Sequence, residues 1–169
     1  MPVTLWTGMT ALGLSLASPA PAQEIDGSVF NVSPYWEGSA SNGDDGQFLY
    51  CSVSIIHGQG QQLWFLLRRD DRFFIMVATP AATFTPGEEF EVSLSANNGQ
   101  PFATWASAAD PKTIVMSFPG IDQSIAALRN AELLSIVVNP KLSLALGTPD
   151  LGAALDATRA CLSEYSAPG

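Results

Sequence analysis

His57 is the single histidine of this 169-residue chain, and a hydrolytic centre needs at least one such base. It follows an apolar run and precedes Gly58, which puts it at a turn. Ser–His–Asp sets assemble in space, so chain order alone does not exclude one. Yet there is no G-x-S-x-G elbow to present a serine nucleophile. An exposed turn histidine is the simpler reading. We expect no catalytic residue and no enzymatic activity, with a hydrolase using His57 as its base the least favoured alternative.

The remaining chemistry-bearing groups point to structure or recognition. Cys51 and Cys161 are the only cysteines. Two thiolates and one histidine do not complete a tetrahedral zinc site, so no metal is expected there. In an exported chain the pair reads as one disulfide, with two buried thiols as the alternative. Closing a loop of about a hundred residues contributes roughly 4–5 kcal/mol in the chain-entropy account. Asn42, Asp44 and Asp45 lack the spacing and closing Glu of a calcium loop and read as a β-turn. Glu88, Glu89 and Glu91 read as a solvated edge strand that resists aggregation, with a weak cation site as the alternative. No cofactor is implied.

Arg68, Arg69 and Arg72, in RRDDR, hold three of only seven cationic residues. They read first as a solvated hairpin turn neutralised by Asp70 and Asp71. As a functional group they are a candidate docking point for carboxylate or phosphate, since guanidinium forks bind such oxygens in pairs. Trp64, Trp105 and Trp36 are the candidate binding aromatics, although Trp36, beside Tyr35, is also expected to dock on the core. Trp64-Phe65 and Phe73-Phe74 are adjacent pairs on strand-like runs, so one member of each must face away from the other. That second face is either covered by a helix or sheet, the reading we favour, or left for a partner.

The elements that carry these groups follow from periodicity. Residues 1–22 are uncharged, with an apolar stretch from Leu5 to Leu16, and end in Ala20-Pro21-Ala22, the pattern of a cleaved secretory signal, with an apolar N-terminal helix packed on the domain as the alternative. The apolar run is too short for a membrane span. Residues 23–47, rich in Gly, Ser, Asp and Asn, read as a loose N-terminal arm with a short strand near Val29–Val32. Residues 48–169 form a single domain. FLYCSVSII alternates with period two and is a strand. LWFLLR and FFIMVA follow it as a meander, then FEVSLS, FATWAS, TIVMSF, LLSIVV and LSLAL. ANNGQ is a hairpin signal. Ile121, Ile125 and Leu128 mark a short helix over 121–131.

A last helix is expected to start with Thr148 as N-cap and Pro149 at the first helical position. It buries Leu151, Leu155, Thr158, Leu162 and Tyr165 in a stripe about 80° wide. Cys161 lies at the margin of that stripe and can reach sideways to the strand of Cys51. The fold is therefore expected to be mainly β (or α+β): an antiparallel sandwich or half-open barrel of about eight strands with a short helix and a packed C-terminal helix.

Trp36, the strand with Cys51, GEEFEVSL, FATWAS and the closing LSLALGTPDLGAALDATRAC together resemble the invasion-associated locus B group of small exported bacterial proteins. The resemblance implies a β-rich periplasmic protein of the envelope or of host interaction, and no reaction. A net charge of −9 argues against nucleic acid and against anionic lipid as partners. The expected function is thus an exported, non-enzymatic periplasmic or secreted protein that binds another protein. Carriage of a small apolar ligand is the alternative.

Overall fold

The computed structural model describes residues 29–166, so the expected signal and the first residues of the arm lie outside the described residues. Ten strands form one antiparallel sheet: β1 (Val29–Asn31), β2 (Glu37–Asn42), β3 (Phe48–Ile56), β4 (Gln62–Arg68), β5 (Arg72–Ala78), β6 (Glu89–Ala96), β7 (Phe102–Asp110), β8 (Thr113–Pro119), β9 (Leu133–Val138) and β10 (Leu142–Gly147). Two helices, α1 (Ile121–Leu128) and α2 (Leu151–Tyr165), complete it. The mainly β class is as expected, with the strands joined in a single sheet.

Strand alternation sorts the aromatic pairs onto two faces. Leu63, Phe65 and Leu67 on β4 and Phe73, Ile75 and Val77 on β5 are wholly buried. Trp64, Leu66, Phe74 and Met76 turn the other way and stay half-buried. β2 has no such signal. EGSASN holds small polar residues, yet it pairs along its length with β3, so part of the expected arm is sheet. Gly38 is needed there, because a Cβ would meet the Phe30 ring on β1 at 2.2 Å.

The strand order is β1-β2-β3-β4-β5-β8-β7-β6-β9-β10. After the β3–β4–β5 meander the chain leaves the sheet edge and returns three places away as β6. The 79–88 connection that makes this jump is tied down. Phe84 is buried and stacks on Phe90 at 5.3 Å, and Lys112 Nζ donates to the carbonyls of Pro80 and Ala82. The β6–β7 turn bends at Asn97 and Asn98, both at positive φ, with Gly99 N–H bonded to the Ala96 carbonyl. The Asn97 side chain also holds the loop before β9, accepting from Glu132 N–H and Leu133 N–H and donating to the Asn130 carbonyl.

Both helices pack on the inner face. α1 buries Ile121, Ile125 and Leu128 and lies against β5 and β8. It ends at Leu128, shorter than the periodicity suggests. α2 lies across β2, β3 and β4 and buries Leu151, Leu155, Thr158 and Cys161. Gly152 permits its close approach to α1, since a Cβ would come within 2.7 Å of the Arg129 carbonyl oxygen. Two exposed ion pairs, Arg129–Asp156 and Arg159–Asp122, join the helices reciprocally, each at 2.7 Å.

Thr148 is not the N-cap of α2. Its hydroxyl donates to the Ala131 carbonyl, Asp150 takes a left-handed conformation, and the helix begins at Leu151. The Pro149 carbonyl is engaged elsewhere, by the indole N–H of Trp36. That bond links the entry to β2, near one edge of the sheet, with the exit from β10 at the other edge. The sheet is therefore curled round a main core that also includes Trp36, Phe65 and Leu144. This is the open, curled arrangement that a half-open barrel anticipates.

Candidate functional site

The covalent link comes first. Cys51 on β3 and Cys161 on α2 form a disulfide with Cα atoms 6.2 Å apart, within the normal range for a bridge. The sulfurs sit in a small second cluster with Ala40 and Phe48, where Phe48 stacks on Tyr165 at 5.4 Å. The bridge is buried and fastens the closing helix to an inner strand. It is structural chemistry.

His57 lies at the end of β3, before a single 3-10 turn, Gly58–Gly60. It is half-buried, not exposed as expected for a turn residue. Its Nε2 is buried without a hydrogen-bond partner, and burial lowers its pKa below the ordinary 6.5. The unfolded chain therefore binds the imidazole proton more tightly, so stability is lost as pH falls below 6.5 through the depressed folded value. Glu88 and Asp110 act in the same direction at lower pH. The Glu88 carboxyl is held below its usual range first by its hydrogen bond with Lys141, and that of Asp110 first by the Lys112 N–H. We expect the urea midpoint to fall between pH 7 and pH 5, and His57→Gln to flatten that part of the profile. An unchanged slope in the variant would remove His57 as its source.

The three carboxylates Glu88, Glu89 and Glu91 do not mark a simple edge. β6 stands between β7 and β9, but only Ser93–Ala96 pair with β9, so the half carrying the carboxylates is open on that side. Glu88 pairs with Lys141, whose ammonium also lies 5.9 Å from the centres of the Phe84 and Phe90 rings. Asp45 accepts from Gln47 N–H in the turn between β2 and β3. Among the described residues no group of three or more His, Cys, Asp or Glu side chains is placed to hold a metal ion. Nor is any described helix long and apolar enough to cross a membrane.

The arginine turn is more than a solvated hairpin. Asp71, at positive φ, accepts from the Ile121 N–H through its carboxylate and from the Gly120 N–H through its carbonyl. It thereby caps the start of α1 from a distant turn, a role invisible in the sequence because the two lie 50 residues apart. Arg68 pairs with Asp70 at 3.2 Å and places its guanidinium 5.8 Å from the centre of the Phe74 ring. Arg72 is its cross-strand neighbour on β5, and Arg69 lies in the turn.

Of the candidate aromatics, the structure brings two to the outer face and removes one. Trp36 is 1% exposed, locked in the core against Phe65 and bonded to Pro149, so it offers nothing to a partner. Trp64 pairs with Met76, and Leu66 with Phe74, beside the Arg68–Arg72 pair. Trp105, two strands beyond β5, is 66% exposed opposite Glu91. The expected cover for this face is absent among the described residues, because both helices went to the inner side. The result is one surface with arginines at one end, half-buried apolar side chains in the middle and a projecting indole at the other strand.

Sequence reasoning missed a second feature. Between α1 and the inner face of β5, β8, β7 and β6 lies a cleft of about 300 Å³, walled by Phe73, Phe102, Phe118, Leu94 and Leu128. The available signal was the shared parity of these residues on neighbouring strands, which needs the strand order to be read.

No protein-family model matches the chain, and no curated protein sequence matches it. Among solved structures, the crystal structure of invasion associated protein B from Bartonella henselae superposes with a TM-score of 0.57 at 16% identity, covering 78% of this chain and 97% of that one. At that identity the likeness shows the fold. The resemblance expected from strand and turn order is thus met at the level of architecture, and the disulfide accords with a small exported protein.

Proposed function

We propose that the protein is an exported, non-enzymatic module of the periplasm or cell exterior that binds another protein through the outer face of β4, β5, β8 and β7. One observation carries this reading: Trp105 projects, 66% exposed, from a face that no described element covers and that also holds Trp64, Leu66, Phe74 and Met76. Exposed Trp and Arg side chains over an apolar patch are the groups that dominate interface energetics. The partner surface that fits presents an apolar pocket or ridge with carboxylates beside it, to meet Arg72 and Arg68. Nucleic acid does not fit, since the net charge of −9 repels phosphate backbones.

The test is affinity capture from a periplasmic extract with two baits, the mature protein and a Trp105→Ser/Arg72→Glu double variant. Both changed side chains are solvent-facing, so folding is expected to survive. Loss of one aromatic anchor weakens binding by about 30-fold, from a hot-spot cost of at least ~2 kcal/mol. A saturable partner retained by the first bait and lost by the second supports the proposal. No saturable partner, or equal capture by both, sinks it.

A further inference from the structure

The cleft beside α1 lies on the opposite side of the sheet from Trp105 and is independent of the protein-binding reading. Its wall is a ladder of rings that leads from the core to solvent. Phe73 is wholly buried, Phe118 is half-buried and Phe102 is 49% exposed. Their centroids are 6.2 Å and 6.5 Å apart in turn. Leu94 and Leu128 close the inner end. A half-exposed Phe leaning over an open apolar cleft leaves hydrocarbon in contact with water, which a guest would relieve.

The polar groups define what the guest cannot be. Among the described residues no charged side chain lines the cleft. Asp122, in the same helical turn, is held by Arg159 of α2. The Ser124 hydroxyl already donates to the Gly120 carbonyl, which leaves the Gln123 carboxamide at the rim as the side chain able to offer a hydrogen bond. A carboxylate or ammonium would enter with no counter-charge, a costly arrangement. An apolar void of 150 Å³ takes a benzene-sized guest, so about 300 Å³ takes one roughly twice as large. That is too small for a helix or strand of another protein.

We propose that the cleft between α1 and strands β5, β8, β7 and β6 binds an uncharged, hydrocarbon-rich small molecule of one or two rings, or a short chain, with a single polar group directed to Gln123. The protein then carries two separate recognition surfaces, one on each side of the sheet.

The probe is 2-naphthol, uncharged at neutral pH, with 2-naphthoate as its anionic counterpart. Titration calorimetry on the full mature protein is expected to show one site with a Kd of about 10–100 µM for 2-naphthol, a range set by typical ligand efficiencies. Binding of 2-naphthoate is expected to be at least tenfold weaker. Ala127→Trp places an indole over the cleft from the exposed rim of α1 and is expected to reduce naphthol binding at least tenfold. A second measurement is independent of that variant: methyl resonances of Leu94, Ala127 and Leu128 should shift on titration of the wild type. Absence of a saturable site, equal binding of the anion, full binding by Ala127→Trp, or shifts confined to other residues would each overturn the proposal. So would protection of the cleft by a captured protein when neither naphthalene binds.

Discussion

Replacing Cys161 by Ser is expected to lower the thermal midpoint by about 12–20 °C. The bridge closes a span of 110 residues, and the chain-entropy account assigns such a loop roughly 4–5 kcal/mol. A domain of this size has about 5–15 kcal/mol of stability in all, and each kcal/mol moves its midpoint by roughly 3–4 °C. The bond also fixes α2 to β3, and with it the stack of Phe48 on Tyr165. Calorimetry of the mature protein with and without reductant checks the source of the effect. The wild type should fall to the level of the variant when reduced, and the variant should not respond to reductant. If variant and wild type melt within 2 °C of each other under oxidising conditions, the bridge is not what holds the closing helix.

Trp36→Ala is expected to cost about 3–5 kcal/mol, the usual range for emptying a large aromatic site in a core. Trp36 contributes two things. Its ring packs 5.7 Å from Phe65, at the deep end of the same series of rings that continues through Phe73 to Phe118 and Phe102. Its N–H donates to the Pro149 carbonyl and so joins the two flanks of the curled sheet. Trp36→Phe separates these contributions. It keeps an aromatic ring and loses the bond, for an expected cost of about 1–2 kcal/mol. Urea unfolding monitored by far-ultraviolet circular dichroism gives both values. Equal losses in the two variants would mean that the hydrogen bond dominates, and no loss in either would remove Trp36 as the closure.

The residues that could be placed from the chain alone were those whose signal is local. Alternation in FLYCSVSII put Cys51 and Val53 inward, and there they lie. In LWFLLR and FFIMVA it required the members of Trp64-Phe65 and Phe73-Phe74 to face opposite ways, and the structure turns Phe65 and Phe73 inward. Ile121, Ile125 and Leu128 kept helical spacing and are buried together. What failed was set by partners distant in the chain. β2 is strand only because β3 offers it a ladder of hydrogen bonds, since its small polar residues have little intrinsic preference for extension. Thr148 had every mark of an N-cap, but its hydroxyl found the Ala131 carbonyl instead. Trp36 was open to two readings, recognition and core packing. The choice fell to the Pro149 carbonyl and Phe65, neither of which is near it in sequence.

By itself, then, the sequence determined the β-rich class, the alternation that sends neighbouring side chains to opposite faces, the two-helix count and the expectation that two lone cysteines pair. These follow from side-chain period and from elementary cysteine chemistry. Only the tertiary structure decided that β6 to β8 enter the sheet in reverse order, that both helices lie on the inner face, and that the outer aromatics stay uncovered beside Arg68 and Arg72. The reason is physical. A strand's alternation specifies which way its side chains point, but its backbone can pair with any other edge. Which edge it meets is settled by loop reach, by anchors such as Lys112 and Asn97, and by the burial gained across the whole sheet.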